Sequence, residues 1–69
     1  MDRTPVTSST ILSLGYHAAS ETLEVEFVNG HVYQYAAVPP GEHEALLSAR
    51  SIGGYFNAQI RPNYAYVRL

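Results

Sequence analysis

The chain has 69 residues, of which six are acidic and four are arginine, and its formal net charge is −2. This length allows one small domain, which buries only about 60% of the surface that its unfolded chain exposes. The sequence has no cysteine, which excludes disulfides and thiolate metal sites, and its acidic balance argues against strong non-specific nucleic-acid binding.

The N-terminal segment, residues 1–5, is predicted to be a flexible lead-in because it is polar and ends in proline. A single domain then covers residues 6–69. The first strand is predicted to begin near residues 8–10 and to continue to Tyr16. Alternation along this strand places three apolar side chains on one face, Leu12, Leu14 and Tyr16. Gly15 indicates a bulge or a close approach of another backbone segment.

Residues 22–38 are predicted to form a β-hairpin around Asn29-Gly30. Apolar and acidic residues alternate before the turn, as in a half-buried strand, and Asn-Gly favours a two-residue type I′ turn. With that loop, one face carries Leu23, Val25, Phe27, Val32 and Ala36, and the more open face carries Glu24, Glu26, Tyr33 and Tyr35. A longer loop with a bulge would reverse these assignments.

Two helices and a closing strand are predicted after the hairpin. Pro39-Pro40 ends the sheet, and the composition of residues 41–50 favours a helix. Ser51 is predicted to cap a second helix, and residues 64–69 alternate as a final strand. The predicted order is β-β-β-α-α-β, an α+β domain whose helices pack on one face of an antiparallel sheet.

A series of short segments forms an ordered pattern over most of the chain. Its members are Ser8-Ser9 to Ile11, Leu14-Gly15-Tyr16, Leu23 to Phe27, Gly30, Tyr33-Gln34-Tyr35, Val38-Pro39, Leu46, Ser51, Gly53, Tyr55-Phe56-Asn57, Ile60 and Tyr64. In order and spacing this series resembles the KTSC domain. That domain is named for its place at the C-terminus of some lysyl-tRNA synthetases and also occurs as free-standing small bacterial proteins. The resemblance covers residues 6–69.

The resemblance implies a role for the central Tyr-x-Tyr of the family, which falls on Tyr33 and Tyr35. The role that it implies is RNA binding. The family often has a basic residue between the two tyrosines, whereas this chain has Gln34. If that basic residue contacts phosphate, this chain has lost the contact.

The tyrosines are also candidates on physical grounds. Tyr33 and Tyr35 are about 6–7 Å apart along one strand, a spacing that suits stacking of successive unpaired bases. Tyr64 and Tyr66 repeat the pattern near Arg68. The alternative is that these rings pack within the sheet, under a helix or against a second copy of the chain. The acidic side chains on the predicted face of Tyr33 favour this alternative, because they repel phosphate.

Two further arginines are candidates for phosphate binding. Arg50 and Arg61 bracket the second predicted helix and can reach a phosphate near its N-terminus. Alternatively, they are solvated or pair with Glu42 and Glu44.

Metal binding and catalysis are not expected. The three histidines, His17, His31 and His43, are 14 and 12 residues apart on different predicted elements, and this spacing does not bring them together. The only aspartate is Asp2, in the predicted lead-in, so no serine-histidine-aspartate triad is indicated. We therefore expect no enzyme activity, no cofactor and no small-molecule substrate.

The sequence leaves two functions open. One is a small RNA-binding module in which tyrosines stack on bases and arginines contact phosphates. The other is a protein-interaction or homodimer module that uses the tyrosine face or a sheet edge. No stretch of about 18 consecutive apolar residues is present, and the N-terminus lacks the apolar core of a signal peptide. We therefore expect a cytoplasmic protein without membrane contact.

Overall fold

The fold is a five-stranded antiparallel sheet with two helices inserted before its last strand. The computed structural model describes residues 1–69. The strands lie side by side in sequence order: β1 (Thr4–Pro5), β2 (Ile11–His17), β3 (Thr22–Phe27), β4 (Val32–Tyr35) and β5 (Tyr66–Arg68). The helices are α1 (Pro40–Ser48) and α2 (Ile52–Tyr55), and α2 continues as a π-helical segment (Phe56–Ile60). The predicted α+β class is confirmed, with one strand added before the predicted first strand.

The added strand, β1, lies within the segment that we predicted to be a flexible lead-in. It pairs with β2, and the neighbouring Arg3 forms an ion pair of 2.5 Å with Glu24 of β3. Two residues carry no periodic pattern, so the sequence alone does not predict this strand. A Cβ atom on Gly15 would lie 2.6 Å from the carbonyl oxygen of Asp2. This confirms the predicted close backbone approach at Gly15.

The ladder between β2 and β3 is irregular. Its register shifts between Ile11 and Ser13, so that Ile11 and Leu14 are both buried while Leu12 is 46% exposed. The predicted placement of Leu12 on the apolar face is therefore wrong, because the irregularity interrupts the period of two on which it rested.

The hairpin of β3 and β4 has a three-residue loop where we predicted two residues. The N–H of Phe27 donates to the carbonyl of His31 at 2.9 Å. Within the loop only Gly30 has a positive φ, +89°, as in a turn that ends in a G1 bulge. Val25 consequently pairs with Tyr33, one residue away from the predicted register.

This shift corrects the predicted faces of the hairpin. Tyr33 and Tyr35 lie on the apolar face, and Glu24 and Glu26 lie on the opposite face. A slip of one residue turns every side chain over. The observed register separates apolar from charged groups, and it places Gln34 across from Glu24, to whose carboxylate the Gln34 amide donates at 2.9 Å.

The core lies between the sheet and the helices. It consists of nine buried apolar residues: Ile11, Leu14, Leu23, Val25, Tyr35, Val38, Leu46, Phe56 and Ile60. The helical contribution comes from Leu46 of α1 and from Phe56 and Ile60 of the π-helical segment. Through Phe56 the π-helical segment packs directly on Tyr35 of β4, with ring centroids 5.2 Å apart.

The helix ends agree in part with the sequence prediction. Ser51 caps α2, because its Oγ accepts the N–H of Gly54 at 3.0 Å, as predicted. α1 ends at Ser48, so Arg50 lies beyond the helix that was predicted to contain it.

Neither helix has the length and apolar character needed to cross a membrane.

Candidate functional site

A groove lies between the sheet and the π-helical segment, beside the β3–β4 turn. Its volume is about 330 Å³. It is lined by Thr10, Phe27, Val28, Asn29, Tyr33, Tyr35, Asn57, Arg61 and Tyr66. We call it the aromatic groove. It brings together four of the residues that the sequence analysis proposed, namely Tyr33, Tyr35, Tyr66 and Arg61.

The tyrosine rings of the groove pack against one another. The ring centroids of Tyr33 and Tyr66 are 5.3 Å apart, and those of Tyr35 and Tyr66 are 5.6 Å apart. Phe27 meets Tyr33 edge-on at 5.5 Å, an arrangement that aromatic pairs favour. Tyr35 is only 2% exposed and Tyr66 is 58% exposed, with Tyr33 half-buried between these extremes. Tyr66 and Tyr33 therefore offer accessible ring surface, and Tyr35 supports them.

The ionisation of Tyr35 reflects this packing. Burial raises the pKa of Tyr35, and the positive charge of Arg61 partly opposes that rise. The phenol is therefore neutral at physiological pH, and the charge of Arg61 acts directly on the floor of the groove.

Two arginines flank the aromatic groove. Arg61 is exposed, and its guanidinium donates to Oδ1 of Asn57 at 3.4 Å. Arg68 lies opposite Tyr33 on β5 and donates to Nε2 of His31 at 2.9 Å. Neither arginine takes part in an ion pair. Both guanidinium groups are consequently available to an anionic ligand.

Carboxylates are kept away from the groove. None lines it, and the two glutamates of β3 lie on the opposite face, where Arg3 approaches both. The repulsion of phosphate that we predicted for the tyrosine face rested on the wrong register. The residues that line the groove carry one positive charge, that of Arg61, and no negative charge, on a protein whose formal net charge is −2.

The structure separates two other predicted site residues from the groove. The hydroxyl of Tyr64 donates to Oε2 of Glu42 at 3.0 Å, and Tyr55 donates to the other carboxylate oxygen. Burial, with the bond to this carboxylate, raises the pKa of Tyr64. Arg50 is exposed beside a separate depression at the start of α2. Neither Arg50 nor Arg61 pairs with Glu42 or Glu44, and both arginines are exposed to solvent.

Several groove residues were not proposed from the sequence. They are Thr10, Phe27, Val28, Asn29 and Asn57, together with His31 at the rim. Phe27 was assigned to the apolar face, which the structure confirms, but the predicted register put the tyrosines on the other face. These residues could have been grouped with the tyrosines only if the hairpin loop had been predicted to have three residues and to end at Gly30.

The three histidines do not meet. His17 contacts Ser20, His43 stacks on Tyr16 with ring centroids 4.3 Å apart, and His31 lies at the groove. No group of three or more His, Asp or Glu side chains is arranged to hold a metal ion.

The sequence matches the family model of the KTSC domain over residues 7–64. The chain belongs to the KTSC domain family. The match includes β2, β3, β4 and both helices, and it therefore contains most of the aromatic groove.

Similar proteins are small free-standing chains and parts of larger enzymes. An uncharacterized protein from Stutzerimonas stutzeri is 46% identical, over 100% of this chain and 99% of the relative. A lysine–tRNA ligase from Nostoc punctiforme is 38% identical over 88% of this chain, which corresponds to only 11% of the ligase. The crystal structure of a KTSC domain protein from Yersinia pestis is 38% identical, with a TM-score of 0.93 and coverage of 99% and 96% of the two chains.

The structure also places the residue between the two tyrosines of the KTSC motif. Gln34 points away from the groove, on the face of Glu24. A basic residue at this position would likewise point to that face. Its replacement by glutamine therefore leaves the charge of the aromatic groove unchanged.

Proposed function

We propose that the aromatic groove of this KTSC domain binds single-stranded RNA. The observation that carries the proposal is the set of accessible tyrosine rings beside two arginines that form no ion pair, in a groove that no carboxylate lines. By their name, the lysine–tRNA ligases that contain a similar segment act on an RNA, which supports the proposal.

The bases would be held by stacking. Tyr66 is 58% exposed and its ring centroid is 5.3 Å from that of Tyr33, so an unpaired base can lie on either ring. Base–aromatic stacking contributes about 1–3 kcal/mol per base and tolerates any base. The amides of Asn29 and Asn57 and the hydroxyl of Thr10 line the same groove and can bond the edge of a base.

The phosphates would be held by Arg61 and Arg68. Hydrogen bonds from guanidinium to phosphate are charge-assisted. For single strands the slope of log K against log salt is about −0.7 per neutralised phosphate, so two arginines give a slope of about −1.4. The rings of the groove are partly enclosed, which favours unstacked single strands over the edges of a duplex.

Binding to a labelled single-stranded RNA of about eight nucleotides, measured by fluorescence anisotropy at several salt concentrations, tests the proposal. We expect Tyr66→Ala to weaken binding about tenfold, within the range for loss of one stacked base, and Tyr66→Phe to retain most of it. We expect Arg61→Gln to weaken binding and to reduce the salt slope by about 0.7.

Arg50→Gln is the matched control, because it removes the same charge from an exposed arginine outside the groove. It should leave both affinity and salt slope near the wild-type values. Equal losses in Arg50→Gln and Arg61→Gln would mean that only net charge matters. Unchanged binding in Tyr66→Ala would rule out the aromatic groove as the site.

A further inference from the structure

The outer edge of β5 is an unpaired strand edge. β5 lies at one end of the sheet and pairs only with β4. We propose that β5 pairs antiparallel with β5 of a second copy of this chain, around a two-fold axis through Val67. Two five-stranded sheets then become one continuous sheet. This inference does not depend on RNA binding.

The backbone of β5 presents the correct groups to a partner. The N–H of Ala36 donates to the carbonyl of Ala65 at 2.9 Å, and the N–H of Leu69 donates to the carbonyl of Val32 at 2.8 Å. Ala65 and Leu69 therefore direct their backbone groups toward β4. Backbone groups alternate in direction along an antiparallel strand, so the N–H and C=O of Val67 also point toward β4. The N–H and C=O of Tyr66 and Arg68 point outward, to the open edge.

The outward backbone groups of two copies can all form hydrogen bonds with one another in one register. A two-fold axis at Val67 places Tyr66 opposite the partner's Arg68, and Arg68 opposite the partner's Tyr66. Both pairs are of the hydrogen-bonded type, in which two residues exchange two N–H···O bonds. In this register all the outward N–H and C=O groups of the four residues, two from each strand, form hydrogen bonds. A shift of one strand along the other leaves some of these groups without a partner.

The side chains of β5 are compatible with the same register. Tyr66 and Arg68 lie on the groove face, so each tyrosine is directly across from a guanidinium of the partner, a favourable cation–aromatic pair. Val67 lies on the other face and meets its own copy across the axis. Tyr66 and Val67 are each 58% exposed in the single chain, so pairing removes apolar surface from water.

The opposite edge of the sheet is protected against such pairing. β1 has two residues, and one of them is Pro5, which cannot donate a backbone hydrogen bond. Proline within an edge strand is one of the usual protections against pairing with another chain. β5 contains neither proline nor an acidic residue. Self-association is therefore directed to β5, and it stops at two copies.

Pairing at β5 also places the two aromatic grooves on one face of the joined sheet. The partner's Arg68 then lies beside Tyr66. Each groove is extended by a cation from the other copy.

The test is the mass of the protein in solution by sedimentation equilibrium, from about 10 μM to 1 mM, a range suited to weak association. We expect the mass to rise from 7.6 kDa toward twice that value. Val67→Lys places like charges across the axis and should raise the dissociation constant about tenfold or more. Leu47→Lys, a similar change of a 47% exposed side chain on α1, should leave it unchanged.

An equimolar mixture of Val67→Lys and Val67→Glu supplies the decisive comparison. The two variants should associate with each other more tightly than either does with itself, since the axis then joins opposite charges. A wild-type protein that stays monomeric at 1 mM overturns the proposal. A dimer that Val67→Lys does not weaken, or that Leu47→Lys weakens equally, overturns the assignment to β5.

Discussion

Replacing Phe56 by alanine is expected to remove much or all of the free energy of unfolding of the protein. Phe56 is 1% exposed, and its ring packs edge-on against Tyr35 at 5.2 Å and close to Phe27 at 5.5 Å. Truncation of a buried phenylalanine costs about 3–5 kcal/mol. A domain of this size has a free energy of unfolding of about 3–10 kcal/mol, so the loss removes much or all of it.

Urea unfolding followed by circular dichroism measures this effect. Gln59→Ala is the control, because Gln59 is exposed on the same π-helical segment and its loss should change stability by less than about 0.5 kcal/mol. Phe56→Leu should lie between the two, since it keeps an apolar side chain in the same space. A loss below about 1 kcal/mol in Phe56→Ala would show that the π-helical segment does not hold the core.

Removal of Arg3 is expected to destabilise the protein by about 2 kcal/mol, less than the 3–5 kcal/mol typical of a fully buried pair because Arg3 is partly exposed. Glu24 is 4% exposed, and its carboxylate accepts from Arg3 at 2.5 Å and from Gln34 at 2.9 Å. Arg3→Met removes the ion-pair partner of this buried charge. The double variant Arg3→Met/Glu24→Met replaces both charges by apolar groups and should recover most of the loss.

The same pair predicts a loss of stability in acid. Burial raises the pKa of Glu24, but hydrogen bonds from Gln34 and Arg3 and the charge of Arg3 outweigh it, so the pKa lies below its ordinary value of 4.5. A depressed folded pKa contributes stability above the unfolded pKa, and this contribution is lost as pH falls through the folded pKa.

Thermal unfolding between neutral pH and the acid range measures both effects. Glu24→Gln should show a weaker dependence on pH below 4.5 than the wild type, since the titrating group is gone. Arg50→Met is the control for Arg3→Met, because Arg50 is exposed and has no ion pair. A wild-type acid profile in Glu24→Gln would assign the acid loss to other carboxylates.

The sequence predicts most of the fold because its strongest signals are local. Ser51 as a helix cap and Gly15 as a close approach both follow from the chemistry of one residue, and the structure confirms both. The N-terminal strand is not predictable in this way. Its contacts are distant in sequence: β1 pairs with β2, and the adjacent Arg3 bonds Glu24, 21 positions away.

The aromatic groove was predicted only in part, because one loop decides its composition. Asn29-Gly30 is compatible with a two-residue and with a three-residue loop. The three-residue loop is favoured only because it separates charged from apolar side chains on the two faces of the sheet. Tyr33 and Tyr35 were therefore proposed as a pair but placed beside the glutamates. Phe27 and Asn57 could be added only after the register was known.

The residues of the groove lie on elements of different local stability. Tyr35 is held in the core, whereas Tyr66 and Arg68 belong to β5, a strand of three exposed residues that pairs on one side only. Strands with few buried contacts open locally at a small fraction of the global unfolding free energy. The side of the groove that Tyr66 forms, with Arg68 beside it, can thus detach while the domain remains folded. A ligand or a second copy that binds β5 lowers the population of the locally open state. Binding at β5 is then coupled to local folding of this strand.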